Sequence, residues 1–102
     1  MIYILNEKIR ELRIAHGYNQ VDFAKKLGVT KQCVSNWEND NVVPSIEMLV
    51  KIADVFCVTT DYILGRTDRV YIEATGLSTE QIAHITLLVE DLKKQGKGNV
   101  NR

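Results

Sequence analysis

Residues 19–38 read Asn19-Gln20-Val21-Asp22-Phe23-Ala24-Lys25-Lys26-Leu27-Gly28-Val29-Thr30-Lys31-Gln32-Cys33-Val34-Ser35-Asn36-Trp37-Glu38. Asn19 is a favoured N-cap type, and Asp22 stands three residues on, in the capping-box slot. Phe23, Ala24 and Leu27 share one helical face, which predicts a helix over Gln20–Leu27. Gly28 supplies a left-handed stop. Thr30 caps a second helix, expected over Lys31–Asn39, with Val34 and Trp37 facing inward. Two helices joined by so few residues must cross steeply and touch closely. Ala24 is small enough to sit at that contact.

Outward from this pair the chain continues as short capped helices. Upstream, Leu5, Ile9 and Leu12 recur at helical spacing, which predicts a helix over Asn6–His16 closed by Gly17. Arg13 lies near its last turn, where a cation suits the helix dipole. Downstream, Asn39–Val43 reads as a loop in which Asp40 must adopt a left-handed conformation. Pro44-Ser45 with Glu47 signals a helix over Ile46–Phe56, with Leu49, Ile52, Ala53 and Phe56 inward. Thr59 caps a short helix over Thr60–Leu64, and Gly65 ends it. Residues 67–77 read as an extended linker whose Val70-Tyr71-Ile72 is β-prone but too short for an independent sheet. A brief strand pairing with a partner chain stays open there. Ser78, with Gln81 in the box position and Leu77 and Ile82 as a hydrophobic staple, starts a helix expected to end near Gln95. Residues 96–102 are expected to be a flexible tail.

Composition narrows the class. A chain of 102 residues suits one compact domain with a small appendage, and 45% apolar content is ordinary for a globular protein. Thirteen basic residues balance thirteen acidic ones. Residues 1–68 hold 8 basic and 9 acidic side chains, and residues 69–102 hold 5 and 4. Any nucleic-acid contact must therefore come from local placement rather than bulk charge. Cys33 and Cys57 form neither a zinc pattern nor a disulfide framework. His16 and His84 have no ligand partners at metal spacing. The apolar run at the N-terminus is too short for a signal peptide, and none approaches a membrane span. The expectation is a cytoplasmic protein with no metal, cofactor or membrane partner, and with no nucleophile–base pair that would make it an enzyme.

The ordered set Leu12-Arg13, Asn19-Gln20, Phe23-Ala24, Leu27-Gly28-Val29, Thr30, Val34, Trp37-Glu38-Asn39, Pro44-Ser45 and Val58-Thr59-Thr60-Asp61-Tyr62-Ile63-Leu64-Gly65 resembles the Cro/C1-type, or XRE, helix-turn-helix family of transcription regulators. The resemblance covers about 60 of the 102 residues. It implies an all-α fold: a five-helix lambda-repressor-like DNA-binding domain over residues 1–66, followed by the linker and the helix over 78–95. The loop Asn39–Val43 departs from the family in lacking its usual Gly and basic residues, which removes phosphate contacts.

On the second helix of the pair, Lys31, Gln32, Ser35 and Asn36 face away from Val34 and Trp37. Gln and Asn can each pair bidentately with adenine, and Lys can donate to guanine. The resemblance places base contacts at these positions, which points to Lys31, Gln32 and Asn36 as base readers. Helix N-termini and short polar side chains hold phosphates. Asn19, Gln20, Ser35, Asn39 and Ser45 are the candidates for backbone contact, with plain capping as the alternative for Asn39 and Ser45. The resemblance also implies an internal ion pair between Arg13 and Glu38. Cys33, in the first turn of its helix, is a conceivable redox-sensitive thiol but is better explained by packing, and Cys57 is expected to be semi-buried.

Ile82, Ile85, Leu88, Val89 and Leu92 form one apolar stripe, with Leu87 on the opposite side. A stripe needs something to bury against: a second copy or the domain's own surface. The expectation is a homodimer reading a palindromic double-stranded DNA operator, most simply as a repressor. The competing function is an antitoxin whose C-terminal segment binds a toxin protein.

Overall fold

The computed structural model describes the backbone of residues 3–100 and the side chains of residues 5–96. Six helices follow in order: α1 Tyr3–Ala15, α2 Gln20–Leu27, α3 Lys31–Glu38, α4 Ile46–Phe56, α5 Thr60–Ile63 and α6 Thr79–Val100. No strand occurs among the described residues.

Local chemistry sets most of these boundaries. Asn19, Thr30, Ser45 and Thr59 each hold an extended backbone and accept a hydrogen bond from the N–H three residues on. Gly28 closes α2 at φ 77°, and its neighbour Val29 donates its N–H to the Ala24 carbonyl at 2.9 Å. Ser78 and Gln81 form a reciprocal capping box, Ser78 N–H to Gln81 Oε1 at 2.9 Å and Gln81 N–H to Ser78 Oγ at 3.1 Å.

The core is one cluster: Leu5, Ile9, Phe23, Ala24, Leu27, Val34, Trp37, Ile52, Ala53, Phe56 and Ile63. It draws on each of α1 to α5, so the five helices bury a common interior and none stands alone. At its centre Phe23 stacks on Phe56 with ring centroids 5.1 Å apart, and Tyr18 and His16 extend the aromatic row. Lys51 of α4 donates its ammonium to the Leu27 carbonyl at 2.9 Å, tying the end of α2 to α4.

Several boundaries differ from the expected ones. α1 starts at Tyr3 rather than Asn6. Leu5 is buried one turn before Ile9, so the apolar stripe extends upstream, and Asn6 serves not as a start but as a donor to the Glu38 carbonyl at 3.3 Å. α3 and α5 each stop one residue early, with Asn39 and Leu64 as C-caps. α6 runs to Val100, where a flexible tail was expected after Gln95. Gly96 takes no left-handed φ, so it supplies no stop and lies within the helix. Residues 101–102 of the expected tail lie outside the described residues. Cys57 is exposed, not semi-buried, and holds the left-handed C-cap of α4 at φ 56°.

Residues 67–77 hold neither helix nor strand and carry one backbone bond to the body, Glu73 N–H to the Cys57 carbonyl at 3.1 Å. Beyond them, the stripe on α6 is uncovered: Ile82, Ile85, Leu88, Val89 and Leu92 are 39–58% exposed. Leu87, on the other side, is exposed too. The helix therefore does not bury its apolar face on its own domain. Among the described residues, no helix is long and apolar enough to cross a membrane. Nor does any group of three or more His, Cys, Asp or Glu there have the arrangement to hold a metal ion.

Candidate nucleic-acid interface

α3 is held from behind and bare in front. Its rear face carries Val34 and Trp37 into the core, and Glu38 lies only 4% exposed. A carboxylate so deep must be paired to offset its lost hydration. Arg13 of α1 supplies the pair: Nε donates to Oε2 at 2.6 Å and Nη2 to Oε1 at 3.0 Å. This is the two-pronged geometry a guanidinium makes with a carboxylate. Arg13 Nη1 also donates to the Tyr18 carbonyl at 2.8 Å. Gln20, the first residue of α2, adds its Nε2 to Glu38 Oε1 at 3.1 Å. One carboxylate thus locks the end of α3 to α1 and to the start of α2.

The front of α3 presents Lys31 and Gln32 exposed and Asn36 partly so. Gln32 Nε2 donates to Asn36 Oδ1 at 3.0 Å, so the two amides meet one turn apart. An eight-residue helix is about 12 Å long, comparable to the width of a B-DNA major groove. These side chains therefore sit on a face of the size and polarity that groove admits.

The five candidates for backbone contact each already hold an internal hydrogen bond. Asn19 Oδ1 accepts from the Asp22 N–H at 2.7 Å, and Ser45 Oγ from the Met48 N–H at 3.2 Å. Asn39 Nδ2 donates to Ser35 Oγ at 3.2 Å, and Gln20 is bound to Glu38. None is thereby exhausted. An amide nitrogen has two N–H groups and a serine hydroxyl keeps its own proton. The N-terminal N–H groups of α2 also lack partners within the helix and favour an anion.

Asn6, the Tyr18 carbonyl and Lys51 were not singled out from sequence. Asn6 and Tyr18 complete the support around Glu38 and Arg13, and Lys51 holds α2. No local pattern marks them: Asn6 and Lys51 act across the fold, and Tyr18 contributes a backbone carbonyl that its side chain does not reveal.

The fold and this face define a helix-turn-helix domain: a rear-anchored helix packed on α2 and joined to it by the Gly28 turn. Comparison with known proteins agrees. The Helix-turn-helix family profile matches residues 9–63, and the chain belongs to that family, in its Cro/C1 type. The transcriptional regulator ImmR of Bacillus subtilis (strain 168) is 34% identical over 64 residues, covering 63% of this chain and 50% of ImmR. Antitoxin PezA of Streptococcus pneumoniae serotype 4 is 26% identical over 99 residues, 97% of this chain and 58% of PezA. Among solved structures, the P22 c2 repressor in complex with a synthetic operator superposes with a TM-score of 0.56 at 28% identity, covering 59% of this chain and 91% of the repressor. The chain thus spans about half the length of ImmR.

Proposed function

We propose that this chain is a sequence-specific double-stranded DNA-binding transcription regulator that works in the cytoplasm as a homodimeric repressor on a palindromic operator. The observation that carries the reading is α3. Its rear is fixed by Val34, Trp37 and the Glu38 network, while Lys31, Gln32 and Asn36 face solvent. That arrangement makes sense for a helix inserted into a groove, where a displaced donor loses its base. The likeness to an operator-bound repressor supports it. Lys31, Gln32 and Asn36 are assigned to base edges, and Asn19, Gln20, Ser35, Asn39 and Ser45 to the sugar–phosphate backbone.

Three side chains read few base pairs, so selection of a site needs two copies. The uncovered stripe Ile82, Ile85, Leu88, Val89 and Leu92 is the proposed dimer contact. Two tests address these readings. Selection of bound sites from random DNA should return a two-fold symmetric motif, lost or degenerate with Gln32→Ala or Asn36→Ala; no motif at all refutes sequence-specific binding. Sedimentation over a dilution series should show a dimer that Ile85→Glu and Val89→Glu dissociate. A monomer at micromolar concentration refutes the dimer.

A second reading has its own support, since the match to an antitoxin covers 97% of this chain, α6 included. In that case the same stripe would hold a toxin. Co-expression with the product of an adjacent gene, followed by co-purification that Val89→Glu abolishes, tests it.

A further inference from the structure

We propose that Gln32 and Asn36 read DNA as one coupled unit, which recognises an adenine beside a base that offers an acceptor in the major groove. This rests on the reading above that α3 contacts base edges, and it adds the chemical class of the half-site.

The coupling is set by the Gln32 Nε2 to Asn36 Oδ1 bond, 3.0 Å long. Each amide has one acceptor oxygen and two donor hydrogens. The bond occupies one lone pair of Asn36's oxygen and one of Gln32's hydrogens. What remains differs between the two. Asn36 keeps both N–H groups, and with its oxygen turned to Gln32 it offers DNA chiefly donors. Gln32 keeps Oε1 and one N–H. Bonding through the N–H that points away from Oε1 leaves the oxygen and the other N–H side by side. That edge matches the N6 donor and N7 acceptor of adenine. The two free donors of Asn36 match guanine N7 or O6, or thymine O4, on a neighbouring base pair.

The backbone holds the unit in place. The Asn36 carbonyl accepts from the Asn41 N–H at 2.9 Å and the Val42 N–H at 3.3 Å, and the next residue, Trp37, is in the core. Asn36 is therefore the fixed member, and Gln32, the more exposed of the two, is the one oriented. Freezing a free glutamine costs rotamer entropy on binding, and the bond to Asn36 meets part of that cost before DNA arrives. Asn36 thus sets the strength of a base preference that it does not itself contact.

The test is selection from random DNA with the full chain and three variants, each checked by circular dichroism for native helicity. Wild type should select adenine next to guanine or thymine. Asn36→Asp keeps the acceptor that Gln32 needs and removes the donors. It should retain adenine while its own position turns to cytosine, whose N4 donates. Asn36→Ala should weaken the adenine preference by about five- to tenfold although Gln32 is intact. Gln32→Ala should abolish the adenine preference at its own position and, by freeing Asn36's oxygen, let the neighbouring position admit adenine as well. An adenine preference unchanged in Asn36→Ala overturns the coupling, as does wild-type selection of an acceptor-only base at the position where Gln32→Ala abolishes the preference. Base preferences that none of the three variants alters, or the absence of any motif, overturn the base-reader assignment itself and with it the coupling.

Discussion

Replacing Glu38 with Ala should be the most damaging single change at the interface, although Glu38 itself is hidden from DNA. Its carboxylate accepts three hydrogen bonds, two from Arg13 and one from Gln20. Without it, the Arg13 side chain, only 11% exposed, keeps the Tyr18 carbonyl as its sole described partner. Removing one member of a buried ion pair costs about 3–5 kcal/mol, mostly because the other charge is stranded. Arg13's remaining bond argues for the lower half of that range, about 3–4 kcal/mol. For a domain of this size each kcal/mol lowers Tm by about 4–8 °C, so a fall of roughly 12 °C or more is expected. The single tryptophan, Trp37, is one residue away and buried, so its fluorescence in a urea titration reports the transition directly. The double variant Arg13→Met with Glu38→Leu removes both charges together. It should lie within about 1–2 kcal/mol of wild type, because a buried ion pair is often no more stabilising than a well-packed apolar substitute. A Glu38→Ala loss below about 1 kcal/mol would refute the claim that this pair is buried and coupled. So would single and double variants whose effects simply add.

Three further outcomes follow from other positions. Cys57→Gly should raise stability by about 1 kcal/mol in the same titration, because it relieves a left-handed φ of 56° at an exposed residue with no core packing to lose; no change or a loss would mean the turn carries no strain. Ala24→Leu should destabilise by about 1–3 kcal/mol through overpacking of the core in which Ala24 is buried, and a neutral result in thermal denaturation would show slack there. Glu73 is held below the usual glutamate range by its bonds to the Thr75 hydroxyl and N–H. The contribution of that turn is therefore present above the unfolded pKa and lost as pH falls through the folded one. The Thr75 amide resonance should titrate at lower pH than free glutamate, and a midpoint at or above the free value counts against the bond.

The elements that were legible in the sequence are those whose ends carry their own chemistry. α2 and α4 have a polar N-cap in Asn19 and Ser45, and α2 has Gly28 behind it, so both ends could be placed from neighbouring residues alone. α1 has no such mark at its start, because Tyr3-Ile4-Leu5 continues an apolar run and nothing polar interrupts it before Asn6. The far end of α6 misled for the opposite reason. Glycine ends a helix only when it turns left-handed, and Gly96 does not. At the interface, the outward set Lys31, Gln32 and Asn36 follows from the period of Val34 and Trp37. The bond between Gln32 and Asn36 does not, since spacing shows only that the two can meet. Asn19, Ser35, Asn39 and Ser45 were ambiguous in principle. A short polar side chain that caps a helix is chemically the same as one that holds a phosphate, and these residues do have capping or neighbour bonds.

The single bond from Glu73 N–H to the Cys57 carbonyl governs a length. Released, residues 66–78 could extend to roughly 45 Å; fastened, only residues 74–78 are free, a reach of roughly 17 Å. In a dimer joined through α6, this stretch is the leash on each recognition helix. Its span determines the effective concentration of the second helix at the second half-site once the first has bound. A short leash concentrates that helix strongly at one separation and falls away steeply at others. One backbone hydrogen bond, remote from the DNA, would then determine how strictly the spacing between half-sites is measured.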